Sequence, residues 1–429
     1  MLSAEDNESL TRTGAGTVMG DLFRRFWIPV LLAREIAAPD CPPVRVTVLG
    51  EQLIAFRDTD DRVGLIERRC AHRGANLFFG RNEDCGIRCA YHGWKYDVDG
   101  RCVEIPTMPR DEGLRNRIRL TAYPAREWGG LVWAYMGPPE HQPELPEMDF
   151  ALVPPSHRYV SKKLQECNWA QACEGALDTA HFSFLHTPVS LPEVPASSRG
   201  GAMANAVRWM KDDPTPVFNI VEHDAGLLLA ASRHADGEEL YWRVTQFLMP
   251  NHSLAPGARR GDSYVGQTWV PIDDQSCWVY VYSWNPERPL SEKESRFIPG
   301  VPSVHADVDE HWVPLRNRGN DYLIDRVAQK TTSFTRIEGM SEQDAAIQDS
   351  QGFIADRTRE HLGPTDLGIV RIRRLILETA YALRNGVEPR AAAAPQAYRV
   401  RSGGTVAPAD RSVTEVLTER LGNETGLVQ

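Results

Sequence analysis

The chain has 429 residues, of which 42% are hydrophobic and 25% charged, as is ordinary for a soluble globular protein. Its formal net charge of −10 argues against nucleic acid as a main partner, because phosphate binding requires a basic surface. No apolar run approaches the roughly 18 residues of a membrane span, and the N-terminal residues lack the pattern of a signal peptide. We therefore expect a cytoplasmic protein that binds neither membrane nor nucleic acid.

The first part of the chain predicts a small all-β domain. After a helix near residues 20–26, short apolar segments with strand-like alternation follow at 44–48, 52–56, 64–70 and 129–137. Residues 138–155 carry six prolines without a clear period, which predicts a linker. We therefore assign residues 1–140 to the first domain, with its core at about 27–137, and residues 141–429 to the second.

The second part predicts an α+β domain, because strands and helices occur without regular βα alternation. We expect an antiparallel sheet from the strand-like segments in 215–284, flanked by helices. The predicted helices cover 164–186, 341–362, 366–384 and a short terminal segment near 412–421.

Two short segments of the first domain combine cysteine with histidine. The full pattern, with sixteen residues between its halves, is Cys70-x-His72 and Cys89-x-x-His92. Zinc fingers usually pair cysteine with cysteine and histidine with histidine, whereas here each segment mixes the two. A Rieske [2Fe–2S] cluster has two Cys on one iron and two His on the other, which two mixed loops satisfy. The eight cysteines are too sparse for a disulfide scaffold, which also favours metal ligation.

The residues around these ligands support a cluster. Gly74 and Gly93 follow the histidines and would allow the backbone to approach it closely, while Trp94 and Tyr96 would shield it from water. The loops resemble the Rieske motif of ring-hydroxylating oxygenases. Rieske proteins of respiratory complexes carry an additional cysteine in each loop, and these loops contain none.

A second candidate metal site lies in the predicted helix 164–186. Glu174, Asp178 and His181 follow helical spacing on one face. His186 lies five residues beyond His181, about 140° around an ideal helix, so the helix must end or distort for both imidazoles to reach one ion. We expect that break in the intervening segment FSFLH.

Two histidines and one carboxylate form the facial triad of non-haem Fe(II) oxygenases. The best candidate for the carboxylate is Asp344, in the segment SEQDAAIQDSQG. Glu342 and Asp349 are rivals in the same segment, and spacing alone leaves the choice among the three open.

These motifs together resemble the phthalate dioxygenase type of Rieske non-haem iron aromatic ring-hydroxylating oxygenase, catalytic subunit, over nearly the whole chain. The resemblance implies that His181, His186 and Asp344 bind the iron. It also implies a trimer in which the cluster of one subunit faces the iron of the next. Asp178 would then link the two centres by hydrogen bonds to His181 and to His92 of the partner subunit.

The resemblance has further implications for fold, cofactors and partners. It implies a helix-grip, START-like second domain, with one [2Fe–2S] cluster and one mononuclear Fe(II) per chain. No flavin or nicotinamide fingerprint is present, since the GAG at 14–16 opens no strand–helix unit. A separate NAD(P)H-dependent flavin and iron–sulfur reductase must therefore supply the electrons for O2 chemistry. The assembly is expected to be a homotrimer or a hexamer.

Substrates of such enzymes are often aromatic carboxylates, such as phthalates, chlorobenzoates and phenoxybenzoates, which are dihydroxylated or monohydroxylated. An acidic protein needs a local cation to bind one, ideally an arginine. Arg208 and Arg243 are the candidates, although Arg243 also fits a strand residue that faces solvent. Related O- and N-demethylases share the metal motifs and remain an alternative. A Rieske electron carrier without oxygenase activity and a zinc-stabilised binding protein are alternatives of other classes.

Overall fold

The computed structural model of the chain describes residues 1–108, 113–189, 199–256, 262–299 and 303–420. Two helices precede the first strand, α1 (Ala4–Thr11) and α2 (Val18–Phe23). Ser3 and Thr17 cap them, each accepting a backbone amide of the first turn through its hydroxyl. The helix predicted near residues 20–26 is confirmed, although it begins and ends earlier in the chain.

Short antiparallel strands build the N-terminal domain, as predicted. They are β1 (Trp27–Leu32), β2 (Val44–Val48), β3 (Glu51–Arg57), β4 (Val63–Glu67), β5 (Arg81–Asn82), β6 (Ile87–Arg88), β7 (Lys95–Tyr96), β8 (Cys102–Glu104), β9 (Ala125–Trp128) and β10 (Leu131–Tyr135). Among the described residues they form three sheets, of strand orders β1-β10-β9, β2-β3-β4 and β5-β6-β7-β8. A separate apolar core that includes Ile54, Phe56 and Ile87 also contains Cys70 and Cys89, so the core directly supports the cysteine–histidine loops.

The second domain is built on one antiparallel sheet. Its elements are α3 (Asp149–Leu152), β11 (Arg158–Gln165), α4 (Trp169–Leu177), α5 (Arg199–Asp212), β12 (Val217–His223), β13 (Gly226–His234), β14 (Glu239–Leu248), β15 (His252–Ala255), β16 (Tyr264–Pro271), β17 (Cys277–Trp284), α6 (Glu292–Ser295), α7 (Met340–Ser350), α8 (Leu367–Arg384), β18 (Gly403–Pro408) and α9 (Val413–Arg420). The strand order is β11-β17-β16-β15-β14-β13-β12, and β18 pairs with β14. Helix α4 packs against β15 and β16, and α8 against β12 and β13. The α+β prediction is thereby confirmed.

Two predicted helices have the wrong extent. The segment 164–186 is not one helix, because β11 continues to Gln165 and α4 ends at Leu177. The segment 341–362 is α-helical only as far as Ser350, and a separate 3-10 turn follows at Arg357–Arg359. In contrast, the helix predicted at 366–384 is confirmed as α8.

The two parts of the chain share one continuous core. Phe23 meets Trp169 edge to face at 4.9 Å, and the same cluster includes Trp133 and Trp269. In the predicted linker, Phe150 of α3 stacks on Tyr282 of β17 at 4.1 Å. The helices α1 and α2 contact α8, so the N-terminus packs on the second domain. The division at residue 140 stays a prediction. In the described part of the chain, no helix combines the length and the apolar character needed to cross a membrane.

Candidate cluster site and candidate metal centre

The two cysteine–histidine loops have the same backbone geometry. In one, the amide of Gly74 donates to the carbonyl of Cys70 at 2.8 Å, and in the other that of Gly93 donates to Cys89 at 3.0 Å. Both glycines adopt positive φ, 72° and 73°, a conformation that favours glycine and permits these tight turns. The loops lie between β4 and β5 and between β6 and β7. In each loop the glycine follows the cysteine by four residues, and this equal cysteine-to-glycine spacing reflects the two matching turns.

The donor atoms of these loops fit a Rieske cluster. Both cysteines are buried, and the rings of His72 and His92 lie 4.5 Å apart. Nδ1 of each histidine is buried without a hydrogen-bond partner among the described residues. Such buried nitrogens are costly unless they bind something, and metal ligation would satisfy both. Trp94 stacks on His72 at 4.6 Å and covers it, as predicted.

Tyr96 contacts one of the cysteines through its hydroxyl group. The hydroxyl oxygen lies 3.2 Å from Sγ of Cys70 and accepts the amide of Ala71 at 3.1 Å. Burial raises the pKa of the Cys70 thiol, and the hydroxyl opposes that rise. Because the oxygen accepts the hydrogen bond of the Ala71 amide, the hydroxyl can donate its own hydrogen to a thiolate ligand at Cys70.

The second site begins where α4 ends. Asp178 has extended backbone angles, φ −71° and ψ 123°, and its side chain accepts the amide of Ala180 at 2.7 Å. A short 3-10 turn, His181–Ser183, follows. Helix α4 already ends at Leu177, earlier than the sequence predicted, and the 3-10 turn then ends at Phe184, within FSFLH, so both histidines reach one point.

Three potential ligand atoms converge at that point. Nε2 of His186 lies 3.1 Å from Nε2 of His181 and 3.1 Å from Oδ1 of Asp344. Nε2 of His181 lies 3.6 Å from the same Oδ1 atom. Ligands about 2.1 Å from one ion and at right angles around it lie about 3 Å apart, so the residues fit a facial triad. The ligand atoms of His181, His186 and Asp344 therefore lie close enough together to hold a single metal ion.

The rival carboxylates point to other partners. Glu342 accepts the amide of Asp307 at 3.2 Å, and burial raises its pKa, which favours a neutral side chain. Asp349 accepts a short hydrogen bond from the hydroxyl of Tyr322. Of the three candidates, the fold thus brings Asp344 to the histidines.

Each of the two candidate ligand histidines has a partner at its outer nitrogen, Nδ1. Nδ1 of His181 lies 3.4 Å from the Asp178 carboxylate, and Nδ1 of His186 lies 2.8 Å from Oε1 of Gln343. Burial opposes ionisation of Asp178, but His181 and backbone amides outweigh it, so the pKa of that carboxyl is lowered. Sequence reasoning missed Gln343, although its position beside Asp344 was a possible signal.

Glu174 does not share the site with Asp178 and His181, contrary to the helical-face prediction. Its carboxylate is paired with Arg357 at 3.1 Å and with Arg373 at 2.8 Å. Burial disfavours its charge, but these two guanidinium groups outweigh the burial and lower its pKa. Glu174 therefore anchors α4 to the C-terminal part of the chain.

The two candidate substrate arginines lie in different environments. Arg243 on β14 is 7% exposed, and its guanidinium lies 4.0 Å from the ring centre of Phe182. That ring lies 4.7 Å from the rings of both His181 and His186. Arg208 on α5 instead forms a two-oxygen ion pair with the exposed Asp236, at 2.8 and 2.9 Å.

A third arginine, Arg233 on β13, was not identified from the sequence. It is fully buried and donates to the carbonyl of Thr179 at 2.6 Å. Burial, and then the charge of Arg243, lower its pKa to about 10. The signal in the sequence was an arginine within the apolar strand GLLLAASRH.

Comparisons with known proteins match both parts of the chain. The family described as Rieske [2Fe-2S] domain matches residues 26–124, and the family described as LigXa C-terminal domain like matches residues 134–410. The chain is 41% identical to the phthalate 4,5-dioxygenase oxygenase subunit of Pseudomonas putida, over 90% of this chain and 88% of that protein. It is 37% identical to the 3-chlorobenzoate-3,4-dioxygenase oxygenase subunit of Comamonas testosteroni, over 95% and 96% respectively.

A solved structure shares the fold. The structure of Pseudomonas putida CBB5 NdmA with caffeine matches 91% of this chain and 98% of its own, with a TM-score of 0.60 and 17% sequence identity. At that identity, the likeness concerns the fold alone.

Proposed function

Since the chain belongs to the Rieske non-haem iron oxygenases, as an oxygenase subunit of the phthalate dioxygenase type, we propose that its substrate is an aromatic carboxylate. The enzyme class and its two cofactors, a [2Fe–2S] cluster and a mononuclear iron, follow from family membership, as does a separate reductase. When bound, the cluster relays single electrons and the iron activates O2 for insertion into the substrate. The reductase is proposed to be an NAD(P)H-dependent flavin and iron–sulfur protein.

We assign the cluster to Cys70, His72, Cys89 and His92. The two unpartnered Nδ1 atoms on loops that also present two buried sulfurs support this assignment. We assign the iron to His181, His186 and Asp344, which the convergence of their three ligand atoms supports.

The substrate proposal rests on one observation above all, the buried cation beside the iron site. Nε of Arg243 has no hydrogen-bond partner among the described residues. Tyr241 is a hydrogen-bond partner of the guanidinium, but Arg243 forms no ion pair within the described part of the chain, and a substrate carboxylate would offset the cost of this buried charge. The ring of Phe182 contacts this guanidinium and both histidines, so Arg243 lies close to the proposed iron site and an aromatic acid that it binds would have its ring near the iron. The names of the two dioxygenase relatives, which refer to aromatic acids, agree with this substrate class.

Asp178 is proposed to connect the two metal centres between subunits. Its side chain is 29% exposed, so it is accessible to a second chain while it contacts His181. The expected assembly is a homotrimer or a hexamer, in which Asp178 meets His92 of the partner subunit.

Exposed aromatic residues beside both sites support such an interface. Phe184, between the two iron-site histidines, and Phe334 are each 52% exposed and meet edge to face at 5.3 Å. Tyr91, next to His92, is 58% exposed. Exposed apolar side chains that cluster in this way mark protein–protein contacts.

A single-turnover experiment tests the substrate class. The chemically reduced protein is mixed with O2 and a panel of aromatic acids, each paired with its methyl ester, and the products are identified. We expect the free acids to be hydroxylated and the esters to react far more slowly. Equal oxidation of acids and esters would contradict the proposal. Methoxy-substituted acids in the panel distinguish ring hydroxylation from O-demethylation, because only the latter releases formaldehyde.

A further inference from the structure

A glutamine lies directly behind one of the proposed iron ligands. Oε1 of Gln343 is 2.8 Å from Nδ1 of His186, and Nε2 of the same amide donates to the carbonyl of Ile337 at 2.8 Å. Both histidine ring nitrogens are thus engaged, since Nε2 of His186 faces His181 and Asp344 at 3.1 Å each.

The partners determine the orientation of the Gln343 amide. A backbone carbonyl can only accept a hydrogen bond, so the NH2 end of the side chain must face Ile337. The oxygen end then faces His186, and an amide oxygen can only accept. Nδ1 of His186 must therefore carry the ring proton, which leaves the lone pair on Nε2, the atom that faces the proposed iron.

We propose that Gln343 is a positioning residue that holds His186 in the tautomer and the orientation required for iron binding. This inference rests on the proposed iron site and extends it beyond the three ligands. Outer partners of metal-bound histidines commonly fix the ring and the tautomer in this way.

The first turn of α7 is well anchored for this role. The backbone N–H of Gln343 donates to the carbonyl of Gly339 at 3.0 Å. The side chain of the buried Lys163, on β11, donates to the carbonyl of Ser341 at 2.8 Å. Consecutive helical residues point about 100° apart. Asp344 can therefore reach the inner nitrogen of His186 while Gln343 reaches the outer one, so one turn of helix holds both sides of the ring.

The two histidines differ in the charge of their outer partners. The outer nitrogen of His181 faces the carboxylate of Asp178. That of His186 faces the neutral side-chain amide of Gln343, which also hydrogen-bonds the Ile337 carbonyl. A carboxylate at either outer position makes an imidazole a stronger donor to a metal ion. A change of Gln343 to glutamate should therefore alter the ligand field of the iron without removing the hydrogen-bond acceptor.

Three variants of the full-length protein test the proposal. Gln343→Leu removes the acceptor, whereas Gln343→Glu keeps an oxygen acceptor for His186 and loses only the donor to the Ile337 carbonyl. Gln348→Leu is the matched control, because Gln348 is a buried glutamine of the same helix that hydrogen-bonds Gln165 and not a proposed ligand. The measurements are the mononuclear iron retained against a chelator, the visible absorption of the cluster, and the paramagnetic resonance spectrum of the nitric oxide-treated Fe(II) protein.

We expect Gln343→Leu to hold mononuclear iron about 10–100-fold more weakly, with the cluster absorption unchanged. Gln343→Glu should retain the iron with an altered resonance spectrum, and Gln348→Leu should match the wild type in both properties. Wild-type iron retention in Gln343→Leu would overturn the inference. Equal iron loss in all three variants would also overturn it, because it would indicate a general defect of α7. If the wild-type protein itself bound no mononuclear iron, the site proposal and not only the role of Gln343 would fail.

Discussion

His181 and His186 bring their Nε2 atoms to within 3.1 Å of each other although they are five residues apart in the chain. On a continuous helix they would point about 140° apart. The chain avoids this because α4 ends at Leu177 and a short 3-10 turn carries His181. Asp344 then joins them from α7, which packs against α4.

The carboxylate ligand can be tested against its neighbour in the same turn of helix. We expect Asp344→Ala to lose the mononuclear iron and all turnover while keeping the visible spectrum of the cluster, because two imidazoles alone hold the ion poorly. Glu342→Gln is the control, since burial already raises the pKa of Glu342 and a neutral side chain fits there. Iron analysis and visible spectroscopy are the measurements. Iron loss from Glu342→Gln with retention in Asp344→Ala would exchange the two assignments.

The hydroxyl of Tyr96 should tune the cluster. It is positioned to donate to Sγ of Cys70, and such a bond becomes stronger when reduction adds negative charge to the cluster. We therefore expect Tyr96→Phe to lower the reduction potential, by about 60 mV if the bond favours the reduced state tenfold. Redox titration followed by visible absorption measures this shift. The core that surrounds the ring accommodates phenylalanine, and an unchanged potential would mean that the hydroxyl does not donate to the ligand.

Arg243 is expected to supply the cation for the substrate. Arg243→Gln should weaken binding of an aromatic carboxylate by about 1.5–3 kcal/mol, the range for a hydrogen bond to a charged group. Titration of the reduced protein with the acid and with its uncharged amide measures this difference. Equal weakening of both ligands would indicate a structural effect of the substitution.

Two further arginines complete the Arg243 experiment. Arg374→Gln removes an exposed charge that pairs with Glu378 on α8 and should leave binding unchanged. The same titration of Arg208→Gln tests the other predicted arginine, whose guanidinium pairs with Asp236 at the surface. If Arg208→Gln weakened binding of the aromatic acid but not of its amide, Arg208 would also be assigned to substrate binding. Wild-type affinity for the acid would show that Arg208 does not bind the substrate.

Asp178 is expected to connect the centres and not to bind metal. Asp178→Asn keeps the size of the side chain but removes the charge that faces Nδ1 of His181. Both metals should remain bound and the oligomer intact, while electron transfer from cluster to iron slows by orders of magnitude. Rapid mixing of the reduced variant with substrate and O2, followed by cluster reoxidation, measures this rate. A wild-type rate would contradict the connecting role, and loss of iron would show that Asp178 mainly supports His181.

The sequence by itself determined the cluster motif, because each half of it lies within one short loop. Cys70 and His72, like Cys89 and His92, are close in the chain, and the glycines that follow them predict the turns that the structure contains. The short strands of the first domain and the extent of α8 could also be predicted from the sequence, because each depends on a hydrophobic pattern within a single element.

Only the tertiary structure brings the three candidate iron ligands together. After the break at Asp178, Arg233, which is 54 residues from Thr179 in the chain, donates to the Thr179 carbonyl that a continuing helix would use. The choice of Asp344 over Glu342 and Asp349 depends on the packing of α7 against α4. No local pattern encodes such contacts, because the three carboxylates share one helix and differ only in the direction that this packing gives them.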